Sequence, residues 1–360
     1  MKAKKLISTF LVLSLSLSFS GCRKKEAETS AAKTPEPTPV PTPTPDPYAA
    51  PAGTYFSELT GEPIDEKLKD QRPLAVMIDC ETLAFPHYGT AKADVVYELM
   101  NNVYNGRITR FMALYKDYMS VPQIGSIRSA RTTNVWLAGE WNAILCHDGQ
   151  ARVTSEYFGH DYATQHFSGF FSRINNGKNW EFTEYVTPGD LEGAFEQYGV
   201  DQNYNQYKQE GDHFNFVRYT TEKDTSSLQP AVNVQLPYPH NKSALAYNDG
   251  TKTYDFYMYD ALHQDAETNE TLTFKNVLLL DCSYTQYPTD GNIYYNCQNV
   301  NHNTGWYLTD GKVEQITWSK GGENTMMQYF DAEGKPLEMN RGKTYITLVP
   351  EDVWDQVVIQ

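Results

Sequence analysis

The sequence predicts an α/β N-terminal domain, a mixed sheet with flanking helices, followed by a mostly β C-terminal domain. In residues 54–218, apolar runs such as PLAVMIDC (residues 73–80) alternate with segments of helical spacing, and such runs are typical of strands buried on both faces. In residues 232–360, short runs of alternating polarity are separated by Asp-Gly, Glu-Gly and Arg-Gly turns, which favour antiparallel strands. A polar stretch, residues 219–231, is the expected connecting loop.

The first 21 residues have the composition of a bacterial secretory signal. Lysines at positions 2, 4 and 5 precede an apolar and serine-rich stretch that ends in Phe-Ser-Gly, directly before Cys22. This pattern predicts a lipoprotein signal peptide, with Cys22 as the lipidation site that would carry palmitate or a similar acyl chain. The alternative is a plain secretory signal in which Cys22 is incidental. We therefore expect a lipid-anchored protein on the extracytoplasmic face of the bacterial cell membrane.

Residues 22–53 alternate proline with threonine, valine or charged residues and contain nothing that could form a core. Such a composition favours extended polyproline II structure. The stretch is therefore predicted to be a semi-rigid linker between the membrane and the folded part.

The charge balance limits the class of ligand. The chain has 45 acidic and 30 basic residues, a formal net charge of −15. This excess of negative charge disfavours binding to nucleic acid or flat binding to anionic lipid. An anionic ligand would have to meet a local basic cluster.

Arginines form such a cluster in one stretch of the sequence. Arg107 and Arg110 lie in NGRITRF, and Arg128 and Arg131 lie in GSIRSART, just before a predicted helix that Ser126 or Ser129 would cap. If Arg128 and Arg131 occupied the first helical turn, they and the free N–H groups would suit phosphate or carboxylate. The alternative is that these arginines pair with acidic neighbours.

Three further residues are candidates for chemistry. His147 and Asp148 follow the apolar run NAIL, so they are expected at the carboxyl end of a strand, where α/β sheets bind ligands. His147 is a candidate general base, anion contact or, with Asp148, metal ligand, and the alternative is a loop histidine that caps local backbone. Glu98 lies within VVYELM, and a carboxylate among apolar residues requires a partner, for which we expect an arginine.

In the second half, His263 and Asp265 are two residues apart, which would place them on one face of a strand. A hydrogen-bonded structural pair is favoured over a metal site. Among the cysteines, Cys282 and Cys297 lie in tyrosine-rich runs and could form a disulfide, whereas Cys80 and Cys146 end strand-like runs and are either neighbours on a sheet or unrelated.

Several motifs together resemble a known family. RPLAVMID, ADVVYELM, NGRITRFMALY, IGSIRSAR and HDG occur in the order seen in the YerB-like lipoprotein family, defined by the domain of unknown function 3048, and the C-terminal part resembles that family's second domain. The resemblance implies a two-domain bacterial surface lipoprotein without an assigned reaction. The family usually has two glycines before its I-T-R, where this chain has Asn105, Gly106 and Arg107, and Arg173 and Asn179 are remnants of a later motif.

The order of MID, an arginine before an apolar strand, and GSIRSAR is also similar to the LytR-CpsA-Psr phosphotransferases. That resemblance implies that Arg110, Arg128 and Arg131 hold a diphosphate and that Asp79 holds a magnesium ion.

The leading hypothesis is a cell-envelope lipoprotein that binds an anionic cell-wall ligand, namely a glycan, phosphate or lipid-linked precursor, through Arg110, Arg128 and Arg131. Phosphotransfer is a further expectation, and no cofactor other than magnesium is implied. The alternative is a scaffold or regulator of cell-wall enzymes that has no activity itself. A wall-polymer hydrolase using Glu98 or Asp148 as its acid has the least support, because the sequence shows no carboxylate pair.

Overall fold

The structure is a computed structural model that describes residues 46–360, which form one compact unit. The predicted signal peptide, Cys22 and the linker up to residue 45 lie outside the described residues. Across residues 46–360, no helix combines the length and the apolar composition that a membrane span requires.

The first half of the described chain contains short strands and two nine-residue helices. The helices are α1 (Thr132–Glu140) and α2 (Asp190–Tyr198). The strands are β1 (Thr54–Phe56), β2 (Pro63–Asp65), β3 (Leu74–Asp79), β4 (Val95–Met100), β5 (Thr109–Tyr115), β6 (Ile124–Gly125), β7 (Ile144–His147), β8 (His166–Ser168), β9 (Ser172–Arg173), β10 (Glu184–Val186) and β11 (Asn215–Phe216).

The second half consists of strands and turns. Its strands are β12 (Gln229–Pro230), β13 (Asn233–Gln235), β14 (Ala244–Asn248), β15 (Thr253–Met258), β16 (Ala261–Leu262), β17 (Thr273–Phe274), β18 (Asn276–Cys282), β19 (Tyr284–Gln286), β20 (Ile293–Tyr295), β21 (Thr304–Thr309), β22 (Lys312–Lys320), β23 (Met327–Phe330), β24 (Glu338–Met339), β25 (Thr344–Pro350) and β26 (Val358–Ile359).

One mixed sheet of 11 strands runs through both halves of the sequence, in the order β12-β22-β21-β18-β25-β4-β5-β3-β7-β8, with β23 on β22. The strands β18, β25 and β4 are mutually parallel, as are β3, β7 and β8, and the antiparallel strand β5 separates the two groups. Because β5 is antiparallel to both β4 and β3, the two groups point the same way. Their carboxyl ends therefore share one edge of the sheet.

The central strands are buried on both faces, as their continuous apolar composition predicts. Every residue of β3, β4, β18 and β25 is buried. A second sheet, β16-β15-β14-β13-β26 with β17 on β15, is antiparallel and contributes Leu245, Tyr254 and Phe256 to the same apolar core. The chain is thus sheet-rich, and its second half is mostly β. The domain boundary at residues 219–231 stays a prediction, since strands from both sides of it share the central sheet.

Candidate functional site

The edge where the parallel strands end carries several polar side chains. Asp79 is the last residue of β3, and His147 is the last residue of β7. Arg110, near the start of β5, is the cross-strand partner of Asp79. Topology therefore brings together residues from three strands at the edge where open α/β sheets bind ligands.

Residues 126–130 lie along this edge as an extended segment fixed by backbone hydrogen bonds. The N–H of Arg128 donates to Met77 O on β3, and the N–H of Ile127 donates to Glu184 O on β10. The N–H of Asp148 donates in turn to the carbonyl of Arg128. Ile127 and Ala130 are fully buried, so the intervening side chains of Arg128 and Ser129 are held at the sheet edge.

Helix α1 begins after this segment, so the condition for an anion site in its first turn, that both arginines lie there, is not met. Arg131 is the N-cap residue in extended conformation, and Arg128 lies three residues further upstream. The predicted caps Ser126 and Ser129 also do not cap the helix. The side chain of Asn134 accepts a hydrogen bond from the Arg131 N–H at 2.9 Å instead.

Two of the predicted arginines meet at a single serine. Arg110 donates to the carbonyl of Ser129 at 2.7 Å and to its hydroxyl at 3.1 Å. Arg131 donates to the same hydroxyl at 3.3 Å, to Ala130 O at 3.0 Å and, from Nε, to Asn292 Oδ1 at 2.7 Å. Both guanidinium groups line a cavity of about 10 Å³, which is enough for roughly one water molecule.

Neither Arg110 nor Arg131 forms an ion pair within residues 46–360, where their contacts are to serine, amide and carbonyl oxygens. Burial lowers the pKa of Arg110 to about 10, an effect that Arg128 increases and Asp79 opposes. Burial also lowers the pKa of Arg131, and the charges of Arg110 and Arg128 lower it further. The two guanidinium groups are thus partly desolvated, close together and without a directly bound carboxylate.

Arg128 differs because it has two acidic partners. Its Nε lies 2.6 Å from Asp79 Oδ2, in an ion pair that lacks the alignment of a hydrogen bond, and its Nη2 pairs with Glu181. Asp79 is buried, whereas the Glu181 side chain is 45% exposed. Arg110, Arg128 and Arg131 together with Asp79 and Glu181 carry a formal net charge of +1.

The carboxylate oxygens of Asp79 are already engaged and do not suit the predicted magnesium ion. Its Oδ1 accepts a hydrogen bond from the N–H of Glu81 at 2.9 Å, and its Oδ2 is occupied by Arg128. In the described part of the chain, no group of three or more His, Cys, Asp or Glu side chains is arranged to hold a metal ion. Asp79 instead acts as a counter-charge for the arginines.

His147 lies at the expected strand end, but both of its ring nitrogens are engaged. Its Nδ1 is 2.7 Å from the carbonyl of Gly149, which requires an N–H donor, and its Nε2 is 2.9 Å from Nδ1 of His166. The His147 ring also stacks on Phe158. Burial lowers the pKa of His147 to about 4, so it is neutral at pH 7.

Asp148 belongs to a carboxyl pair that sequence reasoning missed. A single nitrogen of Arg173, Nη2, lies 2.6 Å from Asp148 Oδ2 and 2.7 Å from Glu184 Oε2. Burial and the neighbouring Asp148 raise the pKa of Glu184 to about 8. Burial opposes ionisation of Asp148, but hydrogen bonds from Arg173 and Glu184 outweigh it and lower its pKa. At neutral pH the pair therefore holds one proton, mainly on Glu184.

Glu98 is fully buried, but the expected arginine partner is wrong. Its Oε1 accepts hydrogen bonds from Thr109 and Ser243, and its Oε2 accepts one from Tyr345, all at 2.6 Å. Burial raises its pKa, and the three hydroxyl donors oppose that rise. Glu98 therefore connects β4, β5 and β25 with the second sheet.

The other predicted site residues lie outside the cluster. Arg107 forms a bidentate ion pair with Asp352. His263 and Asp265 lie beyond the end of β16, so they do not share a strand face, and they bond to neighbours rather than to each other. His263 Nε2 is 3.2 Å from the Thr90 hydroxyl, while Asp265 Oδ1 accepts from the N–H groups of Glu267 and Thr268.

All four cysteines among residues 46–360 are buried free thiols, so the Cys282–Cys297 disulfide is not formed in this structure. Cys146 pairs in register with Val76 rather than with Cys80, which leaves Cys80 and Cys146 as unrelated thiols.

The fold and the site define a sheet-rich protein with an arginine cluster at the carboxyl edge of a mixed central sheet. Residues 59–201 match the N-terminal domain and residues 234–346 the C-terminal domain of the protein family of unknown function DUF3048. The chain belongs to this family, as its sequence motifs predicted.

Two similarities to individual proteins agree with that assignment. The chain is 28% identical over 307 residues to "Putative lipoprotein YerB" of Bacillus subtilis (strain 168), covering 81% of this chain and 86% of the relative. It also resembles the crystal structure of the YerB protein from Bacillus subtilis with a TM-score of 0.72 and 23% identity, covering 85% of this chain and 99% of that chain. The latter similarity shows the common fold.

Sequence reasoning missed the residues that orient the arginines. For Ser129 the sequence suggests only a helix cap, and Asn292 lies 161 positions from Arg131. Glu184 appears in the sequence as an ordinary strand residue. Arg173 stands out in the sequence only as part of a family motif, and its role in joining Asp148 to Glu184 depends on the pairing of β9 with β10.

Proposed function

We propose that the chain is an envelope lipoprotein whose arginine cluster, Arg110, Arg128 and Arg131, binds an anionic cell-wall ligand. A phosphate carried by a glycan or by a lipid-linked precursor fits this chemistry. The observation that carries the proposal is that Arg110 and Arg131 are directed to one serine without a carboxylate bound to either within the described residues.

The positive charge of Arg110 and Arg131 is not compensated by a bound carboxylate among the described residues. Desolvating a guanidinium group costs free energy, and placing two of them side by side adds repulsion. A ligand with negative charge would remove both penalties and would receive charge-assisted hydrogen bonds from donors that are already oriented. The cluster is therefore better suited to an anion than to a neutral ligand.

The cavity of about 10 Å³ is too small for a phosphate group, so the anion must bind at the surface of the cluster. Glu181 is the exposed partner of Arg128. In the proposed complex the ligand replaces Glu181 on Arg128 and reaches the nitrogens of Arg110 and Arg131 that have no bond to Ser129. Asp79 stays in place because it is buried.

Group transfer would need an acid or base beside the anion, and the Asp148–Glu184 pair is the candidate for that role. The N–H of Asp148 bonds to the carbonyl of Arg128, which places the pair next to the cluster. In phosphotransfer an acceptor hydroxyl would lose its proton to the ionised Asp148 and bond to phosphorus, while the original P–O bond breaks and the leaving phosphate or alcohol departs. Asp148→Asn would therefore abolish turnover while leaving anion binding intact.

The location of the protein is part of the same proposal. We expect cleavage of the signal peptide before Cys22, acylation of that cysteine and display of residues 46–360 on the extracytoplasmic face. For the first half of the folded part we keep the α/β description, since both α-helices of the described residues lie there.

The test is a titration of the full chain with inorganic phosphate and pyrophosphate by calorimetry. The double variant Arg110→Gln plus Arg131→Gln should weaken binding by at least about tenfold, because each charge-assisted hydrogen bond contributes roughly 1.5–3 kcal/mol. Wild-type affinity should also fall as salt concentration rises.

The matched control is Arg218→Gln, which removes an exposed arginine far along the chain. It should bind both anions like the wild type. Equal binding by the wild type and the double variant would overturn the proposal. The same variants, tested against purified cell-wall fractions, would show whether the natural ligand uses the cluster.

A further inference from the structure

A second and much larger cavity lies between helix α1, strand β20 and the end of β22. Its volume is about 240 Å³, and it is lined by Trp136, Tyr294, Asn296, Gln298, Lys320 and Glu323, among others. On the measure by which about 10 Å³ holds one water molecule, this volume is far larger than a single solvent molecule needs. A ligand with one six-membered ring and its substituents fits such a space.

One wall of the cavity is aromatic. The rings of Trp136 and Tyr294 meet edge to face, with centroids 5.9 Å apart, and Tyr157 supports Trp136 from α1's neighbouring loop at 5.6 Å. Tryptophan and tyrosine offer flat apolar surface with a polar rim. Both side chains are only partly buried, so their rings are accessible from the cavity.

The lining of the cavity also includes a carboxylate that its neighbours hold in place. Glu323 Oε2 accepts hydrogen bonds from Nδ1 of His160 and from the hydroxyl of Tyr162, both at 2.8 Å. Glu323 Oε1 has no hydrogen bond from another described residue. An acceptor is thus fixed in orientation and left open toward a ligand.

Two amides add donors. Asn296 receives a hydrogen bond from the Thr285 hydroxyl on Oδ1, and its Nδ2 makes no bond within residues 46–360. The side chain of Gln298 is exposed and likewise forms none there. Amides can donate to and accept from hydroxyl groups.

The charge of the cavity disfavours an anion. Lys320 is buried and pairs with Glu140, while the carboxylate of Glu323 would repel negative groups. A purely apolar ligand would leave the open carboxylate and amides without partners, which costs free energy. A neutral ligand that combines hydroxyl groups with apolar C–H faces can pack on the aromatic rings and form hydrogen bonds with the carboxylate and the amides.

We propose that this cavity binds a single neutral sugar ring. Its C–H face would pack on Trp136 and Tyr294, one hydroxyl would donate to Glu323 Oε1, and others would bond to the amides of Asn296 and Gln298. The site is separate in composition from the arginine cluster and does not depend on anion binding there. Tyr295 lines both cavities, so the two sites are neighbours. A phosphorylated glycan carries both a sugar ring for this cavity and a phosphate for the arginine cluster.

The test uses the full chain with N-acetylglucosamine and glucose as probes, measured by saturation-transfer NMR and calorimetry. The wild type should bind at least one of these sugars in the millimolar range. Glu323→Gln and Gln298→Ala should each weaken binding, Glu323→Gln by about tenfold, the value of one hydrogen bond to a charged group.

Matched controls are Glu333→Gln and Gln328→Ala, which change exposed residues outside the cavity and should bind like the wild type. Far-ultraviolet circular dichroism checks that each variant is folded. The Arg110→Gln plus Arg131→Gln variant should keep sugar binding, which separates failure of this site from failure of the anion site.

Three outcomes would overturn the proposal: no sugar binding by the wild type, unchanged binding by both cavity variants, or displacement of the sugar by choline at lower concentration than by a second sugar. The last result would show that the aromatic wall and Glu323 recognise a cation instead.

Discussion

Arg110 on β5 and Arg131 at the start of α1 donate hydrogen bonds to the same side chain, the hydroxyl of Ser129, at 3.1 and 3.3 Å. Arg110 also holds the carbonyl of Ser129. One serine thereby fixes two guanidinium groups that come from different elements. This relationship makes the orientation of the cluster testable separately from its charge.

Replacing Ser129 with alanine removes the shared acceptor and keeps both positive charges. We expect pyrophosphate binding to weaken severalfold, because the guanidinium groups lose part of their preorganisation. The free energy of unfolding should fall by only about 1 kcal/mol, the value of one ordinary hydrogen bond. Calorimetry and denaturant unfolding measure the two effects.

Arg107→Gln is the control for Ser129→Ala, because it removes an arginine that lies outside the cluster. Arg107 is paired with the exposed Asp352, so its loss should change neither pyrophosphate affinity nor, beyond about 1 kcal/mol, stability. If Arg107→Gln weakened binding more than Ser129→Ala did, the assignment of the anion to Arg110 and Arg131 would be incorrect.

Glu98→Ala tests the buried carboxylate that joins the strands. The change leaves the hydroxyl groups of Thr109, Ser243 and Tyr345 without their acceptor in the core. We expect a loss of about 3 kcal/mol or more in the free energy of unfolding, measured in urea. Tyr345→Phe removes one donor only and should cost less, and anion binding by both variants should be retained. A mild effect of Glu98→Ala would contradict this structural role.

The Asp148–Glu184 pair predicts a pH dependence of stability. Folded Glu184 keeps its proton up to about pH 8, whereas its ordinary pKa is 4.5. Between these values the folded state binds more protons than the unfolded state, so this contribution to stability is present at low pH and is lost as pH rises toward 8.

Glu184→Gln isolates that contribution, since its amide mimics the protonated carboxyl group. The histidines with lowered pKa, such as His147, still bind protons in the unfolded state near pH 6.5, but their contribution is the same in both proteins and cancels in the comparison. From pH 6.5 to 8, the free energy of unfolding of the wild type, measured in urea, should therefore fall relative to that of Glu184→Gln. Parallel pH profiles for the two proteins would contradict the prediction.

Cys282 and Cys297 are predicted to form a disulfide on mild oxidation. The β19–β20 register pairs Tyr284 with Tyr295, and the N–H of Asn296 continues the ladder to Ser283 O, so the next pair is Cys282 and Cys297. That pair falls at a non-hydrogen-bonded position, where the separation of about 4.5 Å between Cα atoms suits a disulfide. Burial raises the pKa of Cys282, and its contact with the Cys297 thiol raises it further, so little of the attacking thiolate is present and the exchange should be slow.

The measurement is peptide mapping by mass spectrometry after incubation of the folded chain with glutathione disulfide. We expect a Cys282–Cys297 cross-link and free Cys80 and Cys146. If both Cys282 and Cys297 can still be alkylated quantitatively as free thiols after oxidation, the predicted cross-link is excluded. Because both thiols become oxidised while glutathione disulfide is reduced, the release of reduced glutathione provides an independent count.

The sequence predicted the buried strands around residues 73–80 and 95–100 because uninterrupted apolar runs have few alternatives to a doubly covered sheet. It also predicted that Arg110, Arg128 and Arg131 would lie near one strand edge, and the family to which the chain belongs. It did not predict the partners of Glu98, because three hydroxyl groups, two of them from residues about 145 and 247 positions away, satisfy a carboxylate as well as one arginine does. The helix start was placed too early because Ile127 continues the sheet as an extended segment.

By itself, the sequence determined the local features: strand-forming apolar runs, an excess of negative charge, a cysteine that follows an apolar N-terminal stretch, and arginines in one short stretch. Only the tertiary structure decided which charges are compensated. Arg107 and Arg128 meet carboxylates, whereas Arg110 and Arg131 meet Ser129. The physical reason is that electrostatic pairing depends on distances of a few ångströms between residues far apart in sequence, and those distances are fixed by strand order and register.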